Sequence, residues 1–294
     1  PTLSAAIERF IDRKKREGRK QSTLDTYRGI WRRFRRCAGA ERLSELSAPD
    51  VSAFVHDESV SQATRRKRYR HVCAVLRSAG RGELTSDVPT PRQDEKLPTP
   101  IRPAELERII GAVKAQYREK RREHHIRPGS LVWTIPAFRF LFNSGLRAGE
   151  LAALRWRDID RERSLILVRE QKNGRAETVP LVGGAESALH HALRPREPEM
   201  YVFRTRRGST TERNESAFAR RLSRRFSSAR DRAGVSSEKT LHDLRAGFAT
   251  RLADAGLTAH KIKRALRHSS LKMALRYVRL SNRELRSEME EAFS

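Results

Sequence analysis

The stretch 242-HDLRAGFATRLADAGLTAHKIKRALRHSSLKMALRYVRL-280 carries apolar stripes broken at short intervals. Leu244, Phe248 and Leu252 recur at helical spacing, as do Ile262 with Leu266 and Leu271 with Leu275. Short helices in succession are therefore expected. Upstream the pattern repeats, at Phe218, Leu222 and Phe226, at Leu106, Ile109, Ile110 and Val113, and at Leu131, Ile135, Phe138, Leu141 and Phe142. The period shortens only at 165–168 and 178–181, with Asn173-Gly174 between them, which reads as a β-hairpin. The fold class that follows for residues 103–294 is mainly α with a small β-sheet.

Before residue 103 the character changes. Gly80, Gly82, Pro89, Pro91, Pro98, Pro100 and Pro103 crowd one polar stretch, read as a linker over residues 81–102. Residues 1–80 form a separate helical unit in this reading. Leu3, Ile7, Phe10 and Ile11 make one stripe, and Tyr27, Ile30, Trp31 and Phe34 a second after a Ser22-x-x-Asp25 start signal. Val51, Phe54 and Val55 follow a first-turn Pro49, and Tyr69, Val72, Cys73 and Leu76 close the set. Four short helices are expected. Arg32, Arg33, Arg35 and Arg36 cluster on one, and Arg65, Arg66, Lys67, Arg68 and Arg70 on another. A charge run can be a solvated face alone; two on separate helices of one small unit favour phosphate contact, with Arg32, Arg36, Arg65, Arg66, Lys67 and Arg70 as candidates.

The 294 residues carry 63 Lys and Arg against 36 Asp and Glu, a formal charge of +27. Residues 1–97 hold 22 basic and 13 acidic side chains, so the excess is no basic tail on a neutral body. A polyanionic partner is implied: nucleic acid ahead of an acidic membrane surface or an acidic protein. Cys37 and Cys73 are too isolated for a zinc set, and a reducing compartment, the cytoplasm, is expected. No apolar run is long enough to span a membrane, and none is expected to be a partner.

Four short motifs carry chemistry. They are Ser144-Gly145-Leu146-Arg147-Ala148-Gly149-Glu150-Leu151, then Gln171-Lys172-Asn173-Gly174 in the hairpin, then His242-Asp243-Leu244-Arg245, and last Leu266-Arg267-His268 with Arg276-Tyr277 following. In type, order and spacing they resemble the tyrosine recombinases and phage-type integrases, over essentially all of residues 103–281. The resemblance implies a helical core-binding domain followed by an α+β catalytic domain. It also implies a reaction in which duplex DNA is cleaved and rejoined through a 3′-phosphotyrosyl link. One departure is visible: Arg267 stands where the family usually has glycine. Either the local backbone differs there or Arg267 reaches a phosphate.

The chemistry suits the residue types. Extra negative charge on the phosphate oxygens calls for guanidinium donors, and Arg147 and Arg245 fit. The resemblance makes Tyr277 the nucleophile; a tyrosine hydroxyl, with its pKa of about 10, needs a proton acceptor and a positive field. His242 is the expected base or proton shuttle, His268 a donor to the phosphate, and Lys172 the acid for the departing 5′ oxygen. Glu150 is read as orienting its neighbours. A phosphotyrosyl ester keeps the energy of the broken bond, so no cofactor is expected. Two related readings stay open, a type IB topoisomerase-like or telomere-resolvase enzyme, and a DNA-binding protein without activity. At the C-terminus Asn282 can cap a helix whose Leu285, Met289 and Phe293 share a face. It packs either on its own domain or, as the resemblance implies, on a neighbour in a homotetramer that pairs two DNA sites.

Overall fold

The computed structural model describes residues 1–92, 97–127, 130–169, 176–192, 196–205, 211–281 and 289–293. The chain divides into two compact units, Pro1–Lys96 and Leu97–Ser294.

The first unit holds α1 (Leu3–Arg16), α2 (Gln21–Ala38), α3 (Ala48–Val55) and α4 (Gln62–Ser78). Helix α1 starts where the Thr2 hydroxyl accepts the Ala5 N–H at 3.1 Å, and it buries Leu3, Ala6, Ile7, Phe10 and Ile11 along one face. Trp31 on α2 donates its indole N–H to the Leu3 carbonyl at 2.8 Å, tying the first two helices together. The start signal read at Ser22 is not used. The helix begins at Gln21 with Lys20 as its N-cap, ahead of the start that Ser22 would set, and the Asp25 carboxylate accepts from the Gln21 side chain at 2.8 Å. At α3 the expected first-turn Pro49 is present, with Asp50 accepting from both the N–H and the hydroxyl of Ser47 at 2.9 and 2.6 Å.

The stretch read as linker from residue 81 is in part packed. Residues Gly82–Thr85 form a 3-10 turn, and Leu84 and Val88 are buried in the first core. His56 and Arg66 donate to the carbonyls of Pro89 and Pro91 at 3.1 and 3.2 Å. Glycine and proline end a helix, but they do not stop an apolar residue between them from being buried. At the other end Ile101 belongs to the core of the second unit.

That unit contains α5 (Pro103–Arg122), α6 (Thr134–Ser144), α7 (Ala148–Ala153), β1 (Ile159–Asp160), β2 (Leu165–Val168), β3 (Glu177–Pro180), α8 (Gly183–His190), α9 (Glu215–Arg232), α10 (Asp243–Asp254), α11 (Ala259–Leu266) and α12 (Leu271–Ser281). The expected mainly helical domain with one small sheet is what forms. Its sheet is antiparallel in the order β1-β2-β3, with Ile159 opposite Ile166, Leu165 opposite Pro180 and Val168 opposite Glu177. A two-residue strand such as β1 is too short to show a period. Lys172 and the Asn173-Gly174 pair lie outside the described residues. A large core runs from Ile101 to Leu244. A second joins α10, α11 and α12 through Phe248, Ala249, Ile262, Leu266, Ala274 and Tyr277.

Candidate active site

Gly145 ends α6 in the left-handed conformation, at φ +63°. A β-carbon there would stand 2.4 Å from Phe248 Cδ1 on α10 and 3.1 Å from Leu266 Cδ2 on α11. Glycine is thus required twice over, for its φ and for the close approach of the 144–147 backbone to both helices. Arg245, on the first turn of α10, spans the resulting junction. It is 3% exposed and donates to the carbonyls of Gly145 and Leu266. One side chain thereby fastens three of the four motif segments together. Burial, then the charge of Arg147, lowers its pKa, yet a guanidinium stays charged at neutral pH.

Arg147 stands at the N-terminal end of α7. Its backbone N–H donates to Glu150 Oε2 at 2.8 Å and its Nη1 to Oε1 at 2.6 Å, while 38% of the side chain remains exposed. Glu150 is 6% exposed and makes a second ion pair, to Arg267 Nη2 at 2.6 Å. Burial alone would raise the Glu150 carboxyl; Arg267 and Arg147 outweigh it and hold the pKa below its ordinary value. The expectation that Glu150 orients its neighbours thus has a definite geometry, a carboxylate bridging two guanidinium groups.

Arg267 itself takes φ +53° at the C-terminal end of α11. The backbone therefore keeps the left-handed turn that glycine would favour, and the guanidinium, 2% exposed, faces Glu150. Next along the chain His268 is 7% exposed, and its Nδ1 is buried without a hydrogen-bond partner. Burial, then Arg245, Arg147, His242 and Arg267, bring its pKa down to about 4, so the ring is neutral. His242 precedes α10 and keeps an exposed surface, but partial desolvation of its ring, then the charge of Arg245, lowers its pKa as well. Tyr277 on α12 is 8% exposed, with its ring stacked near that of His268 at 6.2 Å between centroids and 22° between planes. Burial raises its pKa, against the pull of Arg245 and Arg276, so in the DNA-free protein the hydroxyl is protonated at neutral pH.

Of the sequence-predicted set, Arg147, Glu150, His242, Arg245, His268 and Tyr277 come together, and Lys172 lies outside the described residues. In the first unit Arg32, Arg36, Lys67 and Arg70 are exposed. Arg65 and Arg66 are half-buried, donating to the carbonyls of Asp57 and Pro91 at 2.9 and 3.2 Å. Arg68, from the same run, is held by Asp57 and the Phe54 ring. The α4 cluster is therefore only in part an open basic face. Sequence reasoning missed two supports of the site. Arg251 donates to the Phe142 carbonyl at 2.9 Å at the end of α6, and Arg213 lies between the Tyr201 and Phe218 rings while donating to the Ala152 carbonyl of α7. In so arginine-rich a chain no local signal separates a buried arginine from a surface one. Among the described residues no group of His, Cys, Asp and Glu could hold a metal ion, and no helix is long and apolar enough to cross a membrane.

Residues 100–284 match the phage integrase family. The chain is 26% identical to tyrosine recombinase XerA of Thermococcus onnurineus over 292 residues, covering 99% of this chain and 96% of that one. To tyrosine recombinase XerD of Ralstonia nicotianae it is 24% identical, covering 98% and 93%. Its fold is similar to that of a lambda integrase dimer bound to a COC′ core site, with a TM-score of 0.73 at 20% identity over 94% of this chain and 77% of that one. A lambda integrase tetramer bound to a Holliday junction gives 0.71 at the same identity and coverage.

Proposed function

Because the chain belongs to the phage integrase family, we propose that it is a site-specific recombinase that cuts and rejoins duplex DNA through a tyrosine–phosphate ester. The observation that carries this reading is the Arg245 junction, which gathers the Gly145 and Leu266 backbones beside Arg147, His268 and Tyr277. In the reaction the Tyr277 oxygen attacks phosphorus, a 3′-phosphotyrosyl bond forms and the bond to the 5′ oxygen breaks. Arg147 and Arg245 hold the non-bridging oxygens, where charge develops. His268, neutral by its burial among arginines, donates through its ring N–H. His242, whose lowered pKa leaves it unprotonated at neutral pH, takes the Tyr277 proton. Attack by a 5′ hydroxyl on the ester reverses these steps and restores the tyrosine.

Selection of covalently trapped duplexes from a random library tests the reading. A recurring sequence joined to the protein through a denaturation-resistant link is expected. The absence of any such adduct would overturn the assignment. On the duplex recovered, Lys172 is the proposed acid for the 5′ oxygen. Lys172→Ala is expected to fail on ordinary DNA and to cleave nearly normally when the bridging 5′ oxygen is sulfur, a leaving group that hardly needs a proton. Equal impairment on both substrates would make the lysine a phosphate ligand.

Exposed Arg32, Arg36, Lys67 and Arg70 support phosphate contact by the first unit, with Arg65 and Arg66 contributing less because part of their donor capacity is spent internally. Each phosphate contact adds about −0.9 to the slope of log affinity against log salt. Replacing those four by alanine is expected to flatten the slope accordingly, and an unchanged slope would take the first unit off the DNA. Four copies acting on two DNA sites in the cytoplasm complete the proposal. Met289 and Phe293 near the C-terminus, 50% and 86% exposed, are apolar surface suited to a neighbouring copy.

A further inference from the structure

The left-handed region favours glycine and is strained for a residue with a β-carbon. Arg267 nevertheless sits there, at φ +53°, and sends its side chain inward. The guanidinium is 2% exposed, and its partners lie within the protein: Glu150 Oε2 at 2.6 Å and the Ala265 carbonyl at 3.4 Å. Glu150 Oε1 holds Arg147 Nη1 at 2.6 Å, and Oε2 also accepts the Arg147 N–H at 2.8 Å. The carboxylate is thus shared between two guanidinium groups.

The sharing leaves the cluster with a net charge. Arg147 and Glu150 alone cancel, and a carboxylate with no other partner is free to take Arg147 in a bidentate grip, the geometry a phosphate also wants. With Arg267 present the group of three keeps one positive charge. One carboxylate oxygen is pinned from the far side, and the exposed part of the Arg147 side chain, 38%, is left facing outward. The Arg267 charge also bears on His268, adding to the burial and the other cations that hold that ring neutral.

We infer that Arg267 is a positioning residue that acts through Glu150 on Arg147, so that Arg147 presents its outer edge and a net positive charge to the scissile phosphate. The inference rests on the reading of Arg147 as a phosphate-binding residue. Three variants of the full chain separate it from a merely space-filling role, assayed by single-turnover cleavage of the duplex recovered from the random library. Arg267→Gly suits the backbone and removes the charge; Arg267→Met keeps much of the stem volume without charge; Arg267→Lys keeps charge without the fork. The glycine and methionine variants are expected to cleave about tenfold or more slowly, the scale of losing a partner that orients a reacting group. Their affinity for uncut duplex should be unchanged, and lysine should restore part of the rate. In both slow variants the His268 ring, followed by NMR in the absence of DNA, should titrate at higher pH than in the unaltered chain. Wild-type cleavage by the glycine or methionine variant, lysine no faster than methionine, or a His268 titration that does not move would each overturn the inference. Arg147→Ala, measured alongside, keeps the two readings apart. If it cleaves normally, the phosphate-binding role of Arg147 falls. If it fails while Arg267→Gly cleaves normally, only the role of Arg267 falls.

Discussion

Tyr277→Phe is expected to abolish the covalent DNA adduct completely while leaving noncovalent affinity intact. The phenyl ring keeps the packing of Tyr277 in the α10–α12 core and its stacking near His268 at 6.2 Å, so only the hydroxyl is lost. Because burial raises that hydroxyl's pKa, the DNA-free protein does not hold a ready phenolate. Deprotonation belongs to the attack itself, and phenylalanine offers nothing to deprotonate. A denaturing gel of the variant with its selected duplex gives the result directly; any residual adduct would move the nucleophile elsewhere. The unaltered chain should also show an acid limb. The base proposed for it is His242, held below the usual histidine pKa of about 6.5. Cleavage should therefore be lost only as the pH falls through a value lower than that, and a limb centred above 6.5 would reassign the base.

The helical stripes were legible because a period of 3.6 leaves its mark over ten residues or more, and the hairpin because its period is different. What escaped was either too short or non-local. Strand β1 has two residues, and its place depends wholly on β2. Leu84 and Val88 lie in a stretch whose glycines and prolines read as linker, yet the first core buries both. Ser22 and Asp25 have the spacing of a helix start, but Gln21 takes the carboxylate. At the site, the resemblance of the motifs to the tyrosine recombinases pointed to Arg147, His242, Arg245, His268 and Tyr277. It could not say that Arg245 would be spent on two carbonyls, or that Arg267 would meet Glu150 across 117 positions of chain. Pairings of that kind are set by which helix ends meet, and Gly145, through its contact with Phe248 and Leu266, sets that meeting.

The two arginines assigned to the phosphate should therefore fail differently when removed. Losing a preorganised donor to the transition state costs on the order of 10²- to 10³-fold in rate, roughly 3–4 kcal/mol, and both Arg147→Ala and Arg245→Ala should show at least this in single-turnover cleavage. Arg147 is 38% exposed and its hydrogen bonds are made to Glu150 and weakly to the Arg267 carbonyl. Glu150 retains Arg267 when Arg147 is truncated, so the melting temperature of that variant should change little. Arg245 is 3% exposed, and its truncation strips the Gly145 and Leu266 carbonyls of their donor in a closed junction. Each buried carbonyl left unpaired costs about 1–3 kcal/mol, so Arg245→Ala should melt clearly lower as well as cleave more slowly. Arg245→Lys offers one ammonium for two diverging carbonyls and should recover stability only in part. Thermal unfolding of the two alanine variants beside their cleavage rates decides the matter. Equal melting temperatures would mean that Arg245 does not hold the junction, and its place in the site would then be that of a phosphate ligand alone.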